Sequence, residues 1–171
     1  MKQTLFAILD PDLPGAHVLD LFAGSGGAGI EALSRRAAAA VFVELDRAAV
    51  DAIRANLDRT HLAGPAATVV RAEAVDWLAT PAARAAGPFD VVVVDPPYDS
   101  PWLAEAVLDR LSGKGILSST AQVVVKHFWR TGPPARVGLL ASVRERRFGE
   151  TGLTFYRASG VEPAGPDEED A

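Results

Sequence analysis

Two rhythms of apolar and polar positions alternate along the chain. Short, valine-rich apolar runs at 17–22, 40–44, 67–71, 89–95 and 122–127 predict strands. Between them, apolar residues recur every three or four positions, predicting helices over 27–36, 46–59, 73–78 and 101–111. Asp46 is a good N-cap, followed by a stripe of Val50, Ile53 and Leu57, and Pro101 suits a first helical turn. Such alternation specifies βαβ units, hence a parallel sheet with helices on both faces. The ending breaks the rhythm. Runs at 141–148 and 153–157 are joined by Gly149-Glu150-Thr151-Gly152 with no helix between them, so they predict an antiparallel hairpin. That makes seven strands. A short apolar helix at 5–9 is expected to pack against the sheet edge.

Composition narrows the chemistry. The 171 residues are 49% hydrophobic and 23% charged, ordinary for one globular domain, expected to span 1–160. The chain has no cysteine, which excludes disulfides, thiolate metal sites and a cysteine nucleophile. His17, His61 and His127 lack ligand spacing, so no metal is expected. No apolar run reaches the roughly 20 residues of a membrane span, and no leader pattern is present; the expected address is the cytoplasm. The net charge of −5 is uneven. Residues 162–171 hold five acids and no base, so 161–171 is expected to be a disordered acidic tail on a neutral body. Two basic groups stand out: Lys126, His127 and Arg130, and then Arg144, Arg146 and Arg147.

The first run leads into Asp20-Leu21-Phe22-Ala23-Gly24-Ser25-Gly26-Gly27-Ala28-Gly29. Glycines let the backbone turn sharply and approach a ligand, and the next helix offers its free N–H groups. Gly24, Gly26 and Gly29 satisfy G-x-G-x-x-G, and Glu44 follows at the end of the second run, where a carboxylate can accept ribose hydroxyls. A dinucleotide site meets that description. Asp20 favours another ligand, because its carboxylate would repel a pyrophosphate and attract the ammonium of a methionine moiety. After the third run, Glu73 could accept from an adenine amino group and Ala74 could offer its backbone N–H, while Glu73 equally suits an acid at a helix N-terminus.

The fourth run ends in Asp95-Pro96-Pro97-Tyr98. An exocyclic amine on a nucleobase is a poor nucleophile, because its lone pair is delocalised into the ring. The Asp95 carboxylate and the Pro96 carbonyl could accept both amine hydrogens and aim that lone pair at a methyl donor. Prolines 96 and 97 stiffen the mount, and Tyr98 supplies a face on which a base can stack. A dehydrogenase has no use for such a motif; a methyltransferase using S-adenosylmethionine does.

Taken in order, DLFAGSGGAGIEALSRRAA, FVELD, AEA, VVVVDPPYDSP and RRFGETGLTFYR resemble the RsmD-type methyltransferases over residues 1 to about 158. The resemblance implies a Rossmann-like α/β class I methyltransferase fold, with a mostly parallel seven-stranded sheet closed by an antiparallel hairpin. It implies S-adenosylmethionine as donor and guanine N2 of 16S ribosomal RNA, free or in the small ribosomal subunit, as acceptor, with the enzyme a monomer. The implied cofactor contacts are Asp20, Phe22, Ala23, Gly24, Ser25, Gly26, Glu44, Leu45, Glu73, Ala74 and Asp95. Asp95, Pro96, Pro97 and Tyr98 are the implied catalytic set. Family members carry a basic, glycine-rich RNA-binding stretch before the segment matching KQTLFAIL. Here the chain starts just before that segment, so RNA contact is expected from Arg35, Arg36, Arg144, Arg146 and Arg147. Two alternatives stand: a DNA adenine-N6 or cytosine-N4 methyltransferase, for which 171 residues leave no room for a recognition insertion, and a non-catalytic subunit that binds S-adenosylmethionine.

Overall fold

Residues 91–94 show why the sheet is central. Val91 and Val93 enter one apolar core, while Val92 and Val94 enter the other. A strand buried on both faces must be apolar at every position, and burying each valine contributes about 1.5–3 kcal/mol. This strand is β4 (Phe89–Val94) in a computed structural model that describes residues 1–158. The expected acidic tail lies outside the described residues.

The other strands are β1 (His17–Leu21), β2 (Ala39–Glu44), β3 (Ala67–Arg71), β5 (Leu117–Phe128), β6 (Arg136–Val137), β7 (Leu140–Phe148) and β8 (Thr151–Ala158). They form one sheet in the order β3-β2-β1-β4-β5-β8-β7-β6. Strands β1 to β5 pair in parallel; β8 is antiparallel to both β5 and β7. The expected parallel sheet with a closing hairpin is therefore observed, with an eighth, two-residue strand added at the edge.

Helices cover both faces. The helices α1 (Lys2–Leu9), α2 (Gly27–Ser34) and α3 (Arg47–Arg59) supply Phe6, Leu9, Ala32, Ile53 and Leu57 to one core. On the other face α4 (Ala74–Leu78), α5 (Pro81–Ala86) and α6 (Trp102–Leu111) supply Trp77, Leu78, Ala83, Val107 and Leu108. Asp46 caps α3 as its sequence suggests, its carboxylate accepting from the Ala49 N–H at 2.9 Å. None of the helices among the described residues is long and apolar enough to cross a membrane.

The chain runs outward from β1 through β2 to β3, then returns to place β4 on the other side of β1. In such sheets the ligand crevice opens at the carboxyl ends of the strands, where the winding changes direction. Here that point lies between the ends of β1 and β4.

Candidate active site

Three hollows meet at the carboxyl edge, and Phe22 lines all of them. Phe22 follows β1 with φ of +57°, a backbone conformation a phenylalanine adopts only when its surroundings enforce it. Gly24 and Gly26, at +56° and +85°, complete the turn into α2. Gly29 serves packing: a Cβ there would lie 2.3 Å from the Phe42 ring, so only glycine lets α2 sit this close to β2.

The first hollow, about 340 Å³, lies between the glycine loop, α1 and the ends of β1, β4 and β5. Asp20 forms part of its wall. It does not stand open in the loop's mouth as its sequence position suggests, but is 2% exposed, with Oδ2 accepting from the Gly29 N–H at 2.9 Å. Burial pushes its carboxyl up to about 7; the Gly29 N–H opposes this, and the charges of Asp95 and Glu44 add to it. A cation in this hollow would meet an under-compensated carboxylate. Lys2, Leu5 and Phe6 of α1 also line the space, a contribution the sequence did not single out.

The second hollow, about 670 Å³ and mostly apolar, lies across the ends of β2 and β3. Glu44 borders it, its Oε2 accepting from the Gly24 N–H at 2.7 Å and its Oε1 from the Leu45 and Asp46 N–H groups at 2.8 and 2.9 Å. This carboxylate therefore ties the glycine loop to the β2 turn, leaving lone-pair capacity on Oε2 for a further donor. Leu45 is an exposed apolar wall of the same space. Glu73 caps α4, accepting from the Asp76 N–H at 2.9 Å, and with Ala74 lines the far side. Pro97 and Leu103 close the hollow from the β4 side.

The third hollow, about 380 Å³, is wide open to solvent and is bounded by Phe22, Glu44, Asp95, Pro96, Pro97, Tyr98 and Lys126. Pro96 is buried and Pro97 exposed, so the pair grips the protein on one side only. The Tyr98 ring is half exposed, and its hydroxyl shares a hydrogen bond of 3.1 Å with Thr151 Oγ1 at the start of β8. Lys126 Nζ donates to Asp95 Oδ2 at 3.1 Å and lies 5.9 Å from the Tyr98 ring centre. This contact was out of reach for sequence reasoning, which saw Lys126 only as one of a basic group.

The expected RNA contacts divide. Arg35 and Arg36 end α2 and sit by the start of β1, where the Gly15 N–H donates to the Arg36 carbonyl. That is the opposite end of the sheet from the site. Arg35 is also neutralised, by Asp10 at 3.0 Å and Glu31 at 2.9 Å. These two arginines do not join the site, because a helix leaving the ligand edge carries its own C-terminus to the other. Arg144 is exposed in the body of β7, whereas Arg146 and Arg147 lie by the turn at the carboxyl edge. Among the described residues no group of side chains could hold a metal ion.

The donor set suits S-adenosylmethionine: a buried carboxylate for an ammonium, glycines for close backbone approach, and an apolar hollow edged by Glu44 and Glu73 for an adenosine. The fold and this site define a Rossmann-like, S-adenosylmethionine-dependent methyltransferase. Residues 1–157 match the family described as Conserved hypothetical protein 95, and the chain belongs to that family, which includes the RsmD-type enzymes. It is 36% identical to the ribosomal RNA small subunit methyltransferase D of Escherichia coli over 157 residues, 92% of this chain and 76% of that protein. A conserved hypothetical protein of Streptococcus pyogenes superposes with a TM-score of 0.80 at 34% identity, covering 94% of this chain and 96% of that one. A SAM-dependent methyltransferase of Agrobacterium tumefaciens shares the fold alone, with a TM-score of 0.68 at 18% identity over 92% of this chain and 61% of that one.

Proposed function

We propose that this protein methylates the exocyclic N2 amine of a guanine in small-subunit ribosomal RNA. The observation that carries the reading is the meeting of the three hollows at Phe22, with Asp95 shared by the first and third. The methionine end of the cofactor belongs to the first hollow, against Asp20 and the 24–26 loop. Glu44 takes the ribose, and Glu73 and Ala74 the adenine, in the second. S-adenosylmethionine supplies an electrophilic methyl group on a sulfonium.

The chain's own residues do the rest. The third hollow takes the guanine, stacked on Tyr98, whose hydroxyl is pinned by Thr151. Asp95 and the Pro96 carbonyl accept the two amine hydrogens, turning the nitrogen lone pair toward the first hollow. As the amine becomes positive, the Asp95 carboxylate stabilises it and accepts the proton it sheds. Lys126 keeps one Asp95 oxygen in place. The rRNA substrate also follows the name of the Escherichia coli relative.

Methyl-label transfer from S-adenosylmethionine to undermethylated small subunits tests this, with the labelled nucleoside identified by mass. Label on guanine N2 is expected. Asp95→Ala should lower kcat by about 10²-fold or more while S-adenosylhomocysteine affinity stays within a few-fold. Full activity in Asp95→Ala would overturn the amine-positioning role, and label on adenine would move the assignment to the base-N6 class.

A further inference from the structure

The two basic groups of the sequence are separate in the chain and joined in the fold. The last residues of β5 and the turn between β7 and β8 meet at the carboxyl edge, where the Trp129 N–H donates to the Glu150 carbonyl at 2.9 Å. Trp129 is only half-buried, and two guanidiniums address its ring: Arg147 at 3.6 Å and Arg130 at 4.8 Å from the centre. Arg147 Nε donates to the Gly149 carbonyl at 2.9 Å, which fixes the guanidinium plane and leaves its terminal nitrogens for another acceptor. Among the described residues, none of Arg130, Arg146 and Arg147 forms an ion pair with a carboxylate, unlike Arg35 and Arg157.

Stacking two like-charged guanidiniums at one indole is costly unless something pays back their mutual repulsion. Each guanidinium gathered at the ring offers a fork of N–H groups of the kind that binds a phosphate bidentately. Beside them a hollow of about 240 Å³ is lined by His127, Trp129, Arg146 and Arg147, with Glu145 as its one acid and Arg130 outside it. Thr151, the first residue of β8 after this turn, holds the Tyr98 hydroxyl. The cluster therefore borders the entrance to the third hollow, within reach of a polynucleotide whose extruded base occupies it.

We infer that Trp129, Arg130, Arg146 and Arg147 form a phosphate-binding site for the RNA backbone flanking the target nucleotide. The inference rests on the proposed nucleic-acid substrate and adds where the strand is held. The site contributes binding and no chemistry: Trp129 orients the guanidiniums, and Arg130, Arg146 and Arg147 neutralise backbone phosphates. Loss of two of these charges should weaken RNA binding without touching cofactor binding, and should lower its salt dependence.

The test uses the full chain, a fluorescent single-stranded RNA oligonucleotide and fluorescence anisotropy across a salt series. Arg130→Gln with Arg147→Gln is expected to weaken RNA binding about tenfold or more at low salt and to reduce the slope of log K against log salt by roughly 1.4. Trp129→Ala should weaken binding with less change of slope, and Arg147→Lys should fall between. S-adenosylhomocysteine affinity, measured on the same samples, should equal that of the parent and so verifies folding. Unchanged RNA affinity and slope in the double variant overturn the site, whatever the parent methylates. If the parent transfers no methyl to small subunits, the substrate reading falls, while the binding series still decides this one.

Discussion

Asp20 shows how one buried group can link stability, pH and ligand. In the unfolded chain its carboxyl releases a proton near 3.8; in the fold it holds the proton to about 7. Between those values the folded state binds more protons than the unfolded one, so stability falls as pH rises from about 4 to 7 and is level above. The shift, in which the Gly29 hydrogen bond already offsets part of the burial, corresponds to roughly 4 kcal/mol. Asp20→Asn keeps an acceptor for Gly29 and removes the charge. Urea titrations at pH 5 and pH 8 should show the parent losing stability across that interval and the variant losing less. The same variant should bind S-adenosylhomocysteine at least tenfold more weakly, since the ammonium loses its counter-charge. Equal pH slopes in parent and variant would remove Asp20 as the source.

At the scale of elements, the glycine loop is as much a packing device as a ligand cradle. Gly29→Ala drives a methyl into the Phe42 ring, which is itself buried. Either α2 lifts from β2 or Phe42 leaves its rotamer, and the expected cost is about 1–3 kcal/mol by thermal or urea unfolding. Because Gly24 and Asp20 both hold α2 or its loop in place, cofactor affinity should fall as well. The strands easiest to find are those with apolar runs buried on both faces, β4 the plainest; β3 and β7 were also found although neither is buried on both faces. It missed β6, two residues long, and the start of β5, where Ser118, Ser119 and Thr120 break the apolar run. It also missed α5, whose sequence PAARAA between a threonine and a glycine shows no clear stripe. Motif residues next to one another in the chain were legible: Asp95 to Tyr98, and the glycine loop. Contacts between strands were not. Lys126 meets Asp95, and Trp129 meets Arg147, through sheet order, which no local spacing reports. Arg35 and Arg36 lie at the far edge of the sheet because α2 starts at the glycine loop and runs away from it.

At the scale of the molecule, the cofactor should be part of what holds the sheet's carboxyl edge together. The three hollows are bounded by the ends of β1, β2, β3, β4 and β5 and by α1, and there Phe22 and the Glu44 hydrogen bonds add to the strand pairing. A ligand spanning the first two hollows would join α1, α2 and α4 across that edge. Binding to the folded state alone stabilises it by about 2.7 kcal/mol at a hundredfold excess over Kd. For a chain of this size that corresponds to a rise in Tm of roughly 5–10 °C. S-adenosylhomocysteine at such an excess should therefore raise Tm by that amount, and NAD at the same concentration should leave it unchanged. The contrast follows from charge: Asp20 attracts an ammonium and repels a pyrophosphate from the one loop that either ligand would need. In Asp20→Asn the rise with S-adenosylhomocysteine should shrink, because the electrostatic part of the binding is gone while the apolar hollow remains. A rise with NAD and none with S-adenosylhomocysteine would reverse the assignment of the glycine loop.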